Sequence, residues 1–124
     1  MVQYRLDVEA NRIYANALRA DEILSTHADK CLERLLPLTR PGFTVLIDLS
    51  ELNPEHVSTL TDKHLLLLDY GVKRCAYLSS DYGTLSQLMK ELRKRAAHPE
   101  ERGYFTRPED AMEYLTEEKV EYAH

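Results

Sequence analysis

Residues 43–49 read Phe-Thr-Val-Leu-Ile-Asp-Leu. The run is nearly all apolar and is bounded by Pro41-Gly42 and Ser50. A strand this apolar needs cover on both faces, which places it in the middle of a sheet between layers of helix. The segments around it show the two periods that such an architecture needs. Val2, Tyr4, Leu6 and Val8 alternate with Gln3, Arg5, Asp7 and Glu9, the period of a half-buried strand. Ile13, Ala15 and Ala17 alternate again after Ala10-Asn11, where Asn tolerates a positive φ. The chain therefore opens with a hairpin, not with the βαβ unit of a dinucleotide-binding domain.

Leu24, Ala28, Cys31, Leu32 and Leu35 form one helical stripe behind Asp21, and Pro37 and Pro41-Gly42 stop it. Val57, Leu60, His64, Leu67 and Leu68 form a second stripe that ends at Gly71, a residue suited to a left-handed cap. Val72–Leu78 reads as a strand. Ser79-Ser80-Asp81 offers caps for a third helix with Leu85, Leu88, Met89, Leu92 and Ala96 inward. Gly103–Thr106 reads as a short strand. Thr106-x-x-Glu109 has the spacing of a capping box, with Pro108 tolerated in the first turn, and Ala111, Met112 and Leu115 face inward. The expectation is one α/β domain over residues 1–116 with a mixed sheet in the order β-β-α-β-α-β-α-β-α. Residues 117–124 make a charged tail.

The chain has 124 residues, enough for a single core, and a net charge of −5. That balance argues against nucleic-acid binding, which calls for a basic face. No apolar run approaches the roughly 18–20 residues of a membrane span, and residues 1–5 lack the apolar core of a signal peptide. The expected location is the cytoplasm. Cys31 and Cys75 fall on apolar faces and read as reduced core thiols.

The order of elements resembles the STAS domain family of the anti-sigma-factor-antagonist type. In that family a strand ending in Asp-x-Ser leads to a helix N-terminus carrying a phosphorylatable Ser or Thr. Asp48-Leu49-Ser50 looks like that strand end, and the resemblance puts the corresponding helix start near Val57-Ser58-Thr59. The family's Asp-Ser-Ser-Gly stretch is absent, since Val57 precedes Ser58 and Leu60 follows Thr59. Tyr104-Phe105 followed by Glu109-Asp110-Ala111 and Tyr114-Leu115 is similar to the close of a divergent bacterial branch, also compared with CRAL-TRIO lipid-binding domains. The resemblance implies a fold that binds and switches rather than catalyses.

Ser50, His56, Ser58 and Thr59 are the candidates for a phosphosite or anion site at that junction; ordinary helix capping also accounts for them. A small apolar or lipid-like ligand would instead need a pocket between sheet and helices, with Leu65, Leu68, Tyr82, Leu85 and Met89 as its candidate walls. His64 lies on an apolar stripe and reads as a hydrogen-bonded, partly buried histidine. No spacing of His, Cys, Asp and Glu suits a metal. Ser79-Ser80-Asp81-Tyr82 lacks the GxSxG of a nucleophile elbow. No cofactor and no catalytic residue is assigned. From 87 to 107 there are six basic and three acidic residues, and from 108 to 124 six acidic and one basic. Two solvated faces explain this, and so does charge-guided docking. Eight of the ten aromatic residues are tyrosine, a type that serves interfaces and pocket walls. The reading is a non-enzymatic regulatory or protein-interaction module, expected to be a homodimer with an unidentified protein partner. The alternative is a carrier or sensor of a small apolar ligand.

Overall fold

The computed structural model describes residues 2–17, 32–49, 64–65, 67–95 and 102–116. Within them the chain forms one mixed five-stranded sheet in the order β1 (Val2–Asp7), β2 (Arg12–Ala17), β3 (Thr44–Asp48), β4 (Arg74–Leu78) and β5 (Arg102–Phe105). β1 and β2 are antiparallel, and every later pair is parallel. The α/β class and the opening hairpin are as the patterning predicts. The expected tail, 117–124, lies outside the described residues, as do Cys31 and Ala96.

The hairpin turn closes one residue earlier than strict alternation suggests. Val8 is in the turn and exposed rather than inward. Asn11 sits at φ 54°, and its side chain ties the turn to the loop before β3: Nδ2 donates to the Arg40 carbonyl at 2.9 Å and Oδ1 accepts from the Arg40 amide at 2.8 Å. Pro37 does not end the first helix bluntly. Residues 32–35 are helical and tighten into a 3-10 turn over Leu36–Leu38, closed by Thr39, whose amide and hydroxyl both donate to the Leu36 carbonyl. Gly42 and Gly71 adopt φ of 82° and 83°, the region a residue with a Cβ avoids.

Alternation along the strands sorts the side chains onto two faces. Ile13, Ala15, Val45, Ile47, Cys75 and Tyr77 join Leu32, Leu36, Leu67, Leu85, Leu88 and Leu92 in the main core. Helical residues 32–35, 64–65 and 67–69 and the Tyr82–Arg95 helix therefore cover one face. Ala76, Ala111 and Leu115 pack with Leu46, Phe105 and Tyr114 in a second cluster, so the Pro108–Thr116 helix covers the other. β3 and β4 are the strands buried on both sides, which is what the apolar run at 43–49 demands. Each large side chain fully withdrawn from water here, such as Phe43 or Leu88, contributes about 1.5–3 kcal/mol.

The two helices after β4 start differently from one another. Asp81 caps the 82–95 helix, with Oδ1 accepting from the Gly83 amide at 2.9 Å and Oδ2 from the Thr84 hydroxyl at 3.0 Å. The last helix begins with Pro108, so its cap position falls on Arg107 rather than Thr106. At its far end Arg74 donates from Nη1 to the Tyr114 carbonyl at 2.7 Å, a cation placed at the negative end of the helix.

Candidate functional site

β5 lies at one edge of the sheet and carries Tyr104 and Phe105 at its carboxyl end. Neighbouring residues point to opposite faces, so Tyr104 turns toward the main core and Phe105 toward the second cluster. Between this strand end and the two helices beside it lies a cleft of about 300 Å³, lined by Tyr82, Leu85, Ser86, Met89, Tyr104, Phe105, Thr106 and Asp110. Tyr82 stands at the solvent side, 75 % exposed. Apolar walls with a few convergent polar groups suit a small ligand or one inserted side chain. The carboxyl end of a strand in an open α/β sheet is also where such ligands bind.

Gly103 shapes one wall. A Cβ at that position would meet Phe105 Cε2 at 2.5 Å and Tyr114 Cε2 at 3.1 Å. The glycine thus lets the Phe105 ring fold back over β5, where its centroid lies 5.3 Å from that of Tyr114.

Tyr104 connects the cleft to the interior. Its ring stacks on Tyr77, with centroids 5.9 Å apart and planes 18° from parallel. Tyr77 is fully buried, and its hydroxyl lies 2.6 Å from His64 Nδ1. Burial raises the Tyr77 phenol well above its usual range, with Cys75 and Tyr104 adding to the rise. Burial likewise raises Tyr104. His64 is pushed the other way, to about 4, by burial first and then by the charge of Arg102. At neutral pH the phenol is protonated and the imidazole uncharged. The two groups share one hydrogen bond, in which Nδ1 donates or accepts according to the imidazole tautomer.

Arg102 shares this face. It pairs in register with Cys75 and is buried, and its Nε and Nη1 have no hydrogen-bond partner among the described residues. Nε2 of His64 is in the same condition. The expectation of a satisfied, partly buried histidine is therefore met at one ring nitrogen only among the described residues, and the side chain is more deeply buried than expected, at 1 % exposure. Arg102 also leaves the solvated basic cluster to which sequence assigned it, whereas Arg93, Lys94 and Arg95 are exposed on their helix. The clue was parity: an inward Tyr104 requires an inward residue at 102.

Of the pocket candidates read from sequence, Tyr82, Leu85 and Met89 line the cleft. Leu65 and Leu68 are not among its walls; both are half-buried, and Leu68 packs against the main core. Ser50, His56, Ser58 and Thr59 lie outside the described residues, so the structure describes their junction only as far as Leu49, whose amide donates to the Leu78 carbonyl at 2.7 Å. Ser86, Tyr104, Phe105, Thr106 and Asp110 are walls that sequence reasoning did not propose. Among the described residues no group of three His, Cys, Asp or Glu side chains is placed to hold a metal, and no helix is long and apolar enough to cross a membrane.

No family model, curated protein or solved structure matches this chain.

Proposed function

We propose that this chain is a non-enzymatic regulatory or protein-interaction module, of a kind resembling STAS domains, that takes a small effector or a partner's side chain into the cleft beside Tyr104. The observation that carries the reading is the double role of Tyr104. Its ring is a wall of the cleft and is also stacked on Tyr77, which is anchored to His64. An occupant pressing on Tyr104 changes the packing of a buried, hydrogen-bonded pair. That is how a surface event reaches a close-packed interior.

The volume bears on the occupant. About 300 Å³ is the lower limit of typical ligand pockets, which suits an aromatic or short aliphatic group better than a long acyl chain. A carrier of a small apolar ligand is the second reading, favoured by Leu85, Met89 and Phe105 in the walls. Homodimer formation, a cytoplasmic location and a switch at Ser58 or Thr59 belong to the first proposal. Substituting Ser58→Asp tests the switch through its effect on partner affinity.

The direct test is an NMR titration with phenol as probe, following the signals of Leu85, Met89, Phe105 and Thr106. The proposal expects these to shift together and saturate, and expects Met89→Trp to abolish the response by filling the cleft. Scattered, unsaturable shifts would remove the cleft as a binding site. Native mass spectrometry of freshly purified protein separates the two readings, because a carrier retains a bound mass and a regulatory module with a side-chain pocket does not.

A further inference from the structure

The walls of the cleft beside Tyr104 say more about its occupant than its volume does. Tyr82, Tyr104 and Phe105 bring three aromatic rings to one space of about 300 Å³, and Met89 adds a thioether. Tyr77 is stacked on one face of the Tyr104 ring, which leaves the rest of that ring to the cleft. The face of an aromatic ring is negative, so rings gathered about one space attract a cation. Organic ammonium groups are the cations that such walls hold best.

Among the described residues, Asp110 is the only charged side chain in those walls. Its carboxylate makes no hydrogen bond or ion pair among the described residues. The neighbouring carboxylates are engaged. Asp81 caps the 82–95 helix through both oxygens, and Glu109 pairs with Arg107 at 3.4 Å. Helices begin beside the cleft at Tyr82 and Pro108, and each N-terminus brings about half a positive charge. Asp81 and Asp110, at a full negative charge each, outweigh them. Arg93 and Arg102 lie within electrostatic reach of the Tyr104 hydroxyl but are not walls. Arg93 is exposed and screened by water, and Arg102 is buried in β5. The charge an occupant touches is therefore negative.

Resting on the reading of this cleft as a binding site, we propose that its occupant is an organic ammonium group, held among the aromatic walls and paired with the Asp110 carboxylate. The group belongs to a free amine or to a lysine side chain of a partner, and the chemistry of recognition is the same for both.

The experiment is an NMR titration of the whole chain with benzylammonium, benzyl alcohol and phenylacetate at neutral pH and fixed ionic strength. Each probe carries one ring, and their charges are positive, zero and negative. The signals followed are those of Leu85, Met89, Phe105 and Thr106. Benzylammonium is expected to bind about threefold or more tighter than benzyl alcohol, and phenylacetate more weakly than either. Asp110→Asn is expected to remove most of that advantage and to leave the affinity for benzyl alcohol unchanged. Nα-acetyl-lysine amide and its ε-trimethylated form extend the series. Binding as tight as that of benzylammonium points to a partner's side chain, and weaker binding points to a free amine. Benzyl alcohol binding as tightly as benzylammonium would overturn the proposal and leave the cleft standing as a binding site. Phenylacetate binding tightest would overturn it as well, in favour of the helix N-termini. Should none of the three probes saturate, the cleft itself is removed as a binding site. The ranking in wild-type protein alone decides should Asp110→Asn fail to fold.

Discussion

The Tyr77 hydroxyl meets His64 Nδ1 at 2.6 Å, and both side chains are essentially withdrawn from solvent. The bond joins the central sheet to helical residues 64–65 and 67–69, and Tyr77 shares its core cluster with Leu67, Leu85 and Leu88. A polar pair in such surroundings is stabilising only while both partners are present.

The first consequence is a pH dependence of stability. The folded-state pKa of His64 is lowered from 6.5 to about 4 by burial and by Arg102. Between those values the unfolded chain binds the proton and the folded chain does not, so stability falls as pH falls. The contribution is complete above pH 6.5 and is lost progressively down to about pH 4. Its size is on the order of 3 kcal/mol. Urea unfolding at a series of pH values is expected to show that loss in the wild type and a flatter profile in His64→Gln.

Removing the Tyr77 hydroxyl leaves a buried imidazole with neither nitrogen bonded among the described residues. Tyr77→Phe is expected to cost about 1–3 kcal/mol. His64→Leu combined with Tyr77→Phe is expected to cost less than the sum of the two single changes. A double-mutant cycle by chemical denaturation measures that coupling.

Gly103→Ala forces a methyl group against the Phe105 ring at 2.5 Å. The ring must turn away from Tyr114, so the substitution is expected to destabilise by about 1–3 kcal/mol. It is also expected to alter the cleft wall. Thermal denaturation reads the first effect, and loss of phenol binding reads the second.

Asp81→Ala deletes the two carboxylate contacts that begin the 82–95 helix. The expected loss is about 1 kcal/mol, seen as faster amide exchange in the first turn of that helix. Asp81→Asn is expected to restore most of the protection, since an amide oxygen still caps.

The framework was legible because two periods write themselves into the chain. Alternation at 4–6 and 13–15 marks the hairpin, and the stripe Leu85, Leu88, Leu92 marks a helix with one buried side. The continuous run at 43–49 marks a strand covered twice. Val8 escaped this logic, since alternation does not say where a turn begins. Arg102 escaped it because arginine is ordinarily a surface residue, and its neighbours Glu101 and Gly103 offered no apolar context. The cleft was legible in part. Tyr82, Leu85 and Met89 sit on one helix and share a face by spacing alone. Phe105, Thr106 and Asp110 join them through the packing of β5 and the last helix, a relation between distant segments that no local pattern carries. Leu65 and Leu68 also share a helical face by spacing, and Leu68 packs against the main core instead of lining the cleft.

The central claim is that the cleft and the buried pair are linked through Tyr104. The measurement that tests it most directly is the His64 imidazole signal by NMR as phenol is titrated into the wild type and into Tyr104→Leu. The account predicts that the His64 nitrogens shift in step with cleft occupancy in the wild type. In Tyr104→Leu, phenol still binds near Leu85 and Met89 while His64 stays unmoved. A wild-type His64 signal that stays constant while the cleft fills would contradict the account.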